Sequence, residues 1–232
     1  MATKKKTNVE NPQELENLEN AVLTSEAFIE KHQKKLMIAF GVIIALIAGW
    51  LGYHYLVQLP ANEEAATMMV KGQEYFMTSD YKKAVEGDSI DFIGFIAIAE
   101  EYSNTPSGDL ANAYAGISYY RLGDYDNALT YLMEYDGDSK VLEATVKGTI
   151  GDCYVQKGDN ESAIKSFEEA AKSENSAVAA IYLFKLARVY ESMNQNDKAL
   201  ETYRKIKTEY NGIVEGNADV TNIDKFIEAL SK

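Results

Sequence analysis

Cysteine and histidine are almost absent from this chain of 232 residues, which contains one Cys and two His. Cys153 has no second cysteine to pair with, so the chain forms no internal disulfide in any redox compartment. His32 and His54 lie near opposite ends of an apolar run, which argues against a paired-His zinc site or a Ser/His/Asp triad. A phosphate loop of the P-loop type is also missing. We therefore expect no enzyme, no cofactor and no bound metal.

Acidic pairs such as Glu100-Glu101 and Glu168-Glu169 are the remaining candidates for chemistry, as a cation site or as an acid and a base. Adjacent charges on a helix commonly form a solvated face. A regulator with cryptic hydrolase activity is therefore only a third hypothesis for this protein.

Charge of either sign is missing from residues 36–57, LMIAFGVIIALIAGWLGYHYLV. As a helix these residues would be about 33 Å long, enough to cross a bilayer core of about 30 Å. A cleaved signal peptide usually has a shorter apolar region close to the N-terminus, whereas 35 residues precede this one. We predict an uncleaved transmembrane helix, with a buried core helix as the alternative.

Lysines flank only the leading side of this predicted span. Lys31, Lys34 and Lys35 precede it, whereas Glu63 and Glu64 are the first charges after it. The positive-inside rule then places residues 1–35 in the cytoplasm and predicts that residues 61–232 are translocated across the membrane.

The net charge of −13 belongs entirely to the predicted exported domain. Before residue 36, six Lys balance six acidic residues, whereas 17 Lys and Arg stand against 30 Asp and Glu beyond residue 60. Such a surface disfavours nucleic acid as a partner.

Two features of the N-terminal region suggest helix contacts. Asn11-Pro12 is a plausible N-cap and first residue of a short amphipathic helix that carries Leu15, Leu18 and Val22. This helix either touches a partner or lies near the membrane surface. Small residues share one face of the span and would allow an intramembrane helix partner to approach closely: Gly41, Ala45, Ala48, Gly49 and Gly52.

The rest of the chain has helical periodicity, and four positions recur in three consecutive helix pairs at a period of 35 or 36 residues. The first helix of each pair carries a small residue, at Gly116, Gly151 and Ala187. A tyrosine follows three residues later, at Tyr119, Tyr154 and Tyr190. The second helix carries an alanine, at Ala128, Ala163 and Ala199. A large apolar residue follows it, at Leu132, Phe167 and Tyr203.

The turn within each pair has its own signature. Gly123-Asp124 and Gly158-Asp159 combine a glycine, which adopts the left-handed conformation that ends a helix, with an aspartate that can cap the next helix. The pattern predicts that each first helix ends because its partner folds back onto it.

These positions together resemble the tetratricopeptide repeat, with an unrelated helical bundle as the alternative. The resemblance implies an all-α fold, a tetratricopeptide-repeat α-solenoid preceded by one transmembrane helix. The expected repeats are a degenerate one near residues 62–103 and three regular ones at 109–136, 141–173 and 177–209, followed by a capping helix at 220–231.

The degenerate repeat contains Gly72 and Tyr75 at the expected spacing. We place its second helix at 90–103, although Ala84 within SDYKKAVEG is an alternative marker of that helix. Either choice implies about ten inserted residues in the loop of this repeat.

Stacked helix pairs form a concave surface lined mainly by their first helices, and we expect this groove to bind an extended or helical peptide. The predicted groove residues are Ile117, Tyr120, Arg121, Asp152, Val155, Gln156, Phe184, Arg188 and Glu191. The alternative for each residue is a contact between stacked repeats.

Tetratricopeptide domains that clamp the C-terminal carboxylate of a chaperone line their groove with several Lys, Asn and Arg residues. The matching positions here are Ala113, Ile117, Thr149, Ile181 and Lys185. Only Lys185 retains that chemistry, so carboxylate capture of this kind is not expected.

The whole layout is also similar to the ancillary SecYEG translocon subunit family of bacterial inner-membrane proteins. The resemblance is carried by TSEAFIEKHQKK before the span, by GFIAIAEEYSNTPSGDLANAYAGISYYRLGDYDNA, and by ALETYRKIKTEYNGIVEG with IDKFIEAL. It implies association with translocon subunits and with a periplasmic chaperone or foldase. The leading hypothesis is therefore a membrane-anchored protein-binding scaffold, and the alternative is an assembly or stabilising subunit of another cell-envelope membrane complex.

Overall fold

The structure is a computed structural model that describes the backbone of residues 12–88, 90–210 and 222–231 and, within these ranges, the side chains from residue 30 onward. Every regular element in these ranges is a helix. The chain divides into two compact units, Met1–Val57 and Gln58–Lys232.

The first unit contains a single long helix, α1 (Pro12–Tyr53), and most of a π-helical segment at His54–Gln58. Helix α1 begins at Pro12, but it is not the short helix that we predicted before a separate span. No glycine or proline occurs between Gln13 and Phe40, so nothing in this stretch interrupts the helix. Residues Glu30–Met77 contain an apolar helical window that could cross a membrane by length and composition, and none of this window is buried.

The regular structure of the second unit, in its described residues, consists of helices. In chain order these are α2 (Leu59–Met77), α3 (Tyr81–Glu86), α4 (Phe95–Glu101), α5 (Pro106–Leu122), α6 (Tyr125–Met133), α7 (Lys140–Lys157), α8 (Asn160–Ala170), α9 (Ser176–Ser192), α10 (Asn196–Glu209) and α11 (Ile223–Leu230). The pairs α5–α6, α7–α8 and α9–α10 pack most extensively, and each second helix also contacts the next first helix where one follows.

The turns within the pairs confirm the predicted signature. Gly123 and Gly158 have φ angles of 81° and 77°, and Asp124 and Asp159 cap α6 and α8 by accepting a hydrogen bond from a backbone N–H three residues on. In the third pair Asn194 takes the left-handed position with φ 59°. The same conformation therefore recurs although the third turn lacks glycine.

Small residues lie where the two helices of a pair cross. A β-carbon on Gly116 would stand 2.5 Å from Cγ of Leu132, closer than any real side chain is found. Ala128, Ala163 and Ala199 are fully buried on the second helices. The predicted close crossing is therefore present, and Leu132, Phe167 and Tyr203 are the largest fully buried side chains of their helices.

The first pair departs from the prediction because its insertion lies inside the second helix. The turn after α2 repeats the others, since Asp80 N–H donates to the Tyr75 carbonyl at 2.9 Å and Ser79 has φ 63°. The short helix α3 then carries the fully buried Ala84, and α4 resumes at Phe95. Both of the alternative positions for this second helix are thus helical, instead of one helix at 90–103.

Two glycines set the ends of this insertion. Gly87 and Gly94 have φ angles of 89° and 92°. A β-carbon on Gly87 would stand 2.3 Å from the Phe92 carbonyl oxygen, and one on Gly94 would stand 2.3 Å from the Val85 carbonyl oxygen. Between them, Asp88 accepts a hydrogen bond from the Tyr75 hydroxyl at 2.6 Å. The rings of Phe92 and Phe95 then fill the space beside Gly72, as Leu132 does beside Gly116.

Candidate protein-binding surface

The predicted groove residues of α5 lie on its face towards α7. Ile117 and Tyr120 are half-buried against the cluster that contains Ala113 and Leu132. Arg121 is exposed, and its guanidinium carbon lies 5.9 Å from the centre of the Tyr120 ring. This end of the groove therefore offers an aromatic face beside a solvent-accessible cation.

An ion pair joins the groove residues of α7 and α9. Lys185 Nζ lies 2.6 Å from Asp152 Oδ2, with side-chain exposures of 37% and 19%. The same ammonium group lies 5.5 Å from the ring of Tyr182 and 5.9 Å from that of Phe167. Lys185, the single residue that matches a carboxylate clamp, is therefore already paired with an internal carboxylate.

Burial and charge couple these groups across three helices. Burial raises the pKa of the Asp152 carboxyl above its usual value, and the charges of Lys185 and Arg121 offset part of that rise. Burial also raises the pKa of Tyr120, and the nearby Asp152 charge adds to it. Two contacts therefore lie on neighbouring first helices, Arg121 with Tyr120 and Lys185 with Asp152, and we call these four residues the central patch.

Val155 and Gln156 lie beside the central patch on the last turns of α7. The Val155 side chain is 37% exposed and Gln156 is exposed. Both are accessible to a partner, as the prediction requires.

Two of the remaining three predicted groove residues, Phe184 and Arg188, contact the C-terminal helix α11. The ring of Phe184 lies 5.1 Å from that of Phe226 on α11, and the Arg188 guanidinium carbon lies 5.6 Å from the same ring. Glu191 accepts hydrogen bonds from Arg188 at 2.6 Å and from the Tyr203 hydroxyl at 3.0 Å. Helix α11 therefore packs against the predicted groove at Phe184, whereas the Arg188 side chain stays 56% exposed beside it.

The sequence carries a signal for this covering at position 184. Phe184 occupies the position of Ala113 and Gly148 in the preceding repeats, 35 or 36 residues apart. A large ring at a position that is otherwise small indicates a contact that the other repeats do not make. Phe226, the residue that makes this contact, was predicted only as part of a capping helix.

The small residues of the predicted span have open surroundings in the first unit. A β-carbon on Gly41, Gly49 or Gly52 would meet nothing within 4 Å. Ala45 and Ala48 are exposed.

A chemical site is not apparent in the described residues. In ranges 12–88, 90–210 and 222–231 there is no group of three His, Cys, Asp or Glu that could hold a metal ion. Burial raises the pKa of the Cys153 thiol to about 12, so this thiol stays protonated and inert at neutral pH.

Comparisons with known proteins agree with the repeat architecture. Two family models of the tetratricopeptide repeat match, at residues 149–212 and 114–135. Curated protein sequences give no match. Among solved structures the chain is similar to a crystal structure of the MamA protein, with a TM-score of 0.53 and 18% identity over 73% of this chain and 87% of that one.

A second crystal structure of MamA is similar with a TM-score of 0.50 and 19% identity, over 69% of this chain and 92% of that one. At these identities the likeness concerns the fold alone. The chain is therefore an all-α protein with tetratricopeptide repeats and one long apolar N-terminal helix, and repeats of this kind serve as scaffolds for protein interaction.

Proposed function

We propose that this protein is anchored in the bacterial inner membrane by one helix, with its N-terminus in the cytoplasm and its repeat domain, residues 61–232, in the periplasm. The uncharged run at 36–57 and the three lysines before it support this topology. Alkaline phosphatase fused after residue 232 should be active, and the same enzyme fused before residue 36 should be inactive. The reverse pattern would reject the topology.

The groove of the repeat domain binds a protein partner, and the observation that carries this proposal is the central patch. An aromatic ring, an unburied guanidinium and a paired carboxylate and ammonium lie on three successive first helices. Side chains of these types, beside the exposed Val155 and Gln156, suit an extended peptide that offers both apolar and polar groups.

The partners that we propose are translocon subunits and a periplasmic chaperone or foldase, so that the protein is an ancillary subunit of the Sec translocon. This part rests on the resemblance of the sequence to the ancillary SecYEG translocon subunit family. Affinity purification in mild detergent should recover a translocon subunit or a periplasmic foldase, and consistent absence of both would reject the proposal.

The binding surface is tested by photocrosslinking in living cells. A benzoylphenylalanine at Tyr120 or Gln156 should give adducts with an identified translocon subunit or foldase. The matched control is the same probe at Lys165, an exposed residue on the second helix α8. Equal adducts from all three positions would contradict a role for the groove.

A second candidate function is that of an assembly or stabilising subunit of another cell-envelope membrane complex, which uses the span as its main contact. The open surroundings of Gly41 and Gly49 favour it. Gly41→Leu combined with Gly49→Leu should then reduce the size of the native complex on a non-denaturing gel. An unchanged size would count against this candidate.

A further inference from the structure

The contact between α11 and the last helix pair has the geometry of a helix in a groove. The Phe226 ring lies 5.1 Å from the Phe184 ring and 5.3 Å from the Tyr203 ring, between α9 and α10. Lys207 Nζ lies 2.6 Å from Asp224 Oδ1 at the edge of the contact. We call the surface formed by Phe184, Arg188, Tyr203 and Lys207 the terminal cleft.

The terminal cleft is held in shape by groups that do not belong to α11. Glu191 accepts hydrogen bonds from both Arg188 and the Tyr203 hydroxyl. Tyr203 is fully buried, and its ring lies 5.6 Å from that of Phe184. These contacts join Phe184, Arg188 and Tyr203 to one another within the α9–α10 pair.

Helix α11 is held lightly in comparison. None of its eight residues, all of which the structure describes, is fully buried, whereas α10 buries Ala199, Tyr203 and Ile206. Asn222 makes no side-chain cap, and the Lys207–Asp224 pair is 50% and 64% exposed. A helix of two turns is also too short to be stable alone, so its folding depends on docking. Such an element belongs to the least stable part of a protein.

The terminal cleft also differs from the contacts between permanent repeats. In the preceding pair the position equivalent to Phe184 is Gly148, and a β-carbon there would stand 1.9 Å from the Tyr182 ring of the next first helix. The absent side chain lets α9 approach α7 closely. Phe184 puts a ring at this position instead, and the Phe226 ring of α11 packs against it.

We propose that the terminal cleft binds the amphipathic helix of a partner protein, and that α11 occupies the cleft until that helix displaces it. The pattern of α11 defines the partner: apolar side chains at i, i+3, i+4 and i+7, as in Ile223, Phe226, Ile227 and Leu230, and a carboxylate at i+1 to pair with Lys207. This inference deepens the proposed function and rests on it.

The occupant is a partner helix, and not α11 of a second copy, for an energetic reason. Exchange of α11 between two copies replaces each contact by an identical one and adds the cost of association. A partner helix as long as α10, with 14 residues, can instead extend along α9 and α10 beyond the eight residues that α11 covers. The longer helix gains contacts that α11 does not have.

The first experiment measures binding of a labelled peptide, residues 218–232, to the full chain in detergent by fluorescence anisotropy. The wild-type chain is compared with the double variant Phe226→Ala and Ile227→Ala, in which α11 no longer fills the cleft. Because a tethered competitor acts at an effective concentration of about millimolar, the opened chain should bind the peptide about 10- to 100-fold more tightly. A peptide with Phe226→Ala should bind neither chain.

A charge reversal separates binding at the cleft from a general loss of folding. Lys207 is 50% exposed, so Lys207→Glu in the opened chain should leave the midpoint of thermal unfolding unchanged. The same substitution should weaken the binding of the peptide several-fold. The peptide with Asp224→Lys should restore the affinity. No peptide binding to the folded opened chain, or no rescue by the reversed peptide, would overturn the proposal.

The second experiment identifies the occupant in cells with a photocrosslinking residue at Phe184, in the wild-type and the opened chain. Adducts mapped to a segment of another protein that carries the α11 spacing, stronger in the opened chain, support the proposal. Adducts only within the chain, or with α11 of a second copy, overturn it. If the probe at Tyr120 captures a partner while that at Phe184 does not, the terminal cleft alone is rejected, whereas failure at both positions rejects the groove as well.

Discussion

Phe167 lies directly against Gly151, so that a β-carbon on this glycine would stand 2.6 Å from Cε1 of the ring. The pair belongs to the helix crossing of the second regular repeat, and Phe167 is 1% exposed. The crossing of α7 and α8 therefore depends on the absence of a side chain at residue 151.

Gly151→Ala should consequently lower the free energy of unfolding by about 1 to 3 kcal/mol, because the added methyl group overpacks the crossing. Urea unfolding of the full chain in detergent, followed by circular dichroism, measures the change. In a Phe167→Val background the ring is gone, and the same substitution should cost little or stabilise through helix propensity. A similar loss in both backgrounds would contradict this explanation.

The turn glycines give a second prediction, which concerns backbone conformation and not packing. Gly123 has φ 81° and open space around it. Gly123→Ala should therefore lower the free energy of unfolding by about 1 to 2 kcal/mol, only because alanine is strained in the left-handed conformation. Gly123→Asn should cost clearly less, because Asn194 already adopts this conformation at the equivalent turn. Equal losses in the two variants, measured by the same unfolding experiment, would refute the assignment.

The ion pair at the centre of the groove gives a third prediction. Lys185→Met leaves the Asp152 carboxylate, only 19% exposed, without its partner and should cost about 1 to 3 kcal/mol. The control is Lys140→Met. The Lys140 side chain is 73% exposed, so its replacement should lower the free energy of unfolding by less than about 0.5 kcal/mol. Adding Asp152→Asn to Lys185→Met should recover most of the loss, and failure to recover it would show that Lys185 acts through packing.

A fourth prediction uses two aspartates whose pKa values are displaced in opposite directions. Burial raises the pKa of Asp152, so the wild-type protein loses stability as the pH rises from the ordinary Asp value through the raised one. Hydrogen bonds from Ser162 lower the pKa of Asp159, so its contribution is present above the ordinary value and is lost as the pH falls below it. Stability relative to wild type should therefore rise with pH for Asp152→Asn and fall with pH for Asp159→Asn.

Both variants can be followed by thermal unfolding between pH 3 and pH 7, about the ordinary Asp value of ~3.9. Asparagine preserves the helix cap at residue 159, so only the charge changes there. Parallel slopes for the two variants would contradict the opposite displacements.

The recurrent turns and crossings could be predicted because they obey local rules. Three kinds of residue each specify structure within a few neighbouring positions. They are a residue in the left-handed conformation, a capping side chain, and a small residue one turn from a tyrosine. The pattern at Gly116 and Leu132 repeats at Gly151 and Phe167, so agreement between copies made the helix pairs visible without any tertiary information.

The candidate site was only partly predictable because its residues meet across separate helices. Counting along a first helix shows which of its faces is exposed. This count identified Tyr120, Arg121, Asp152, Val155 and Gln156. Counting does not show that Lys185 pairs with Asp152, 33 residues away, or that Phe226 packs on Phe184. Both contacts depend on the crossing geometry of α9 with its neighbours.

The sequence by itself determined the uncharged apolar run, the helix pairs and the residues that end each helix, since these follow from composition and from spacing within one or two turns. Only the tertiary structure decided that the insertion interrupts the second helix of the first pair and that α11 covers the end of the groove. Those outcomes depend on which distant surfaces bury each other. Phe92 and Phe95 reach Gly72, and Phe226 reaches Phe184, only after the intervening chain has folded back.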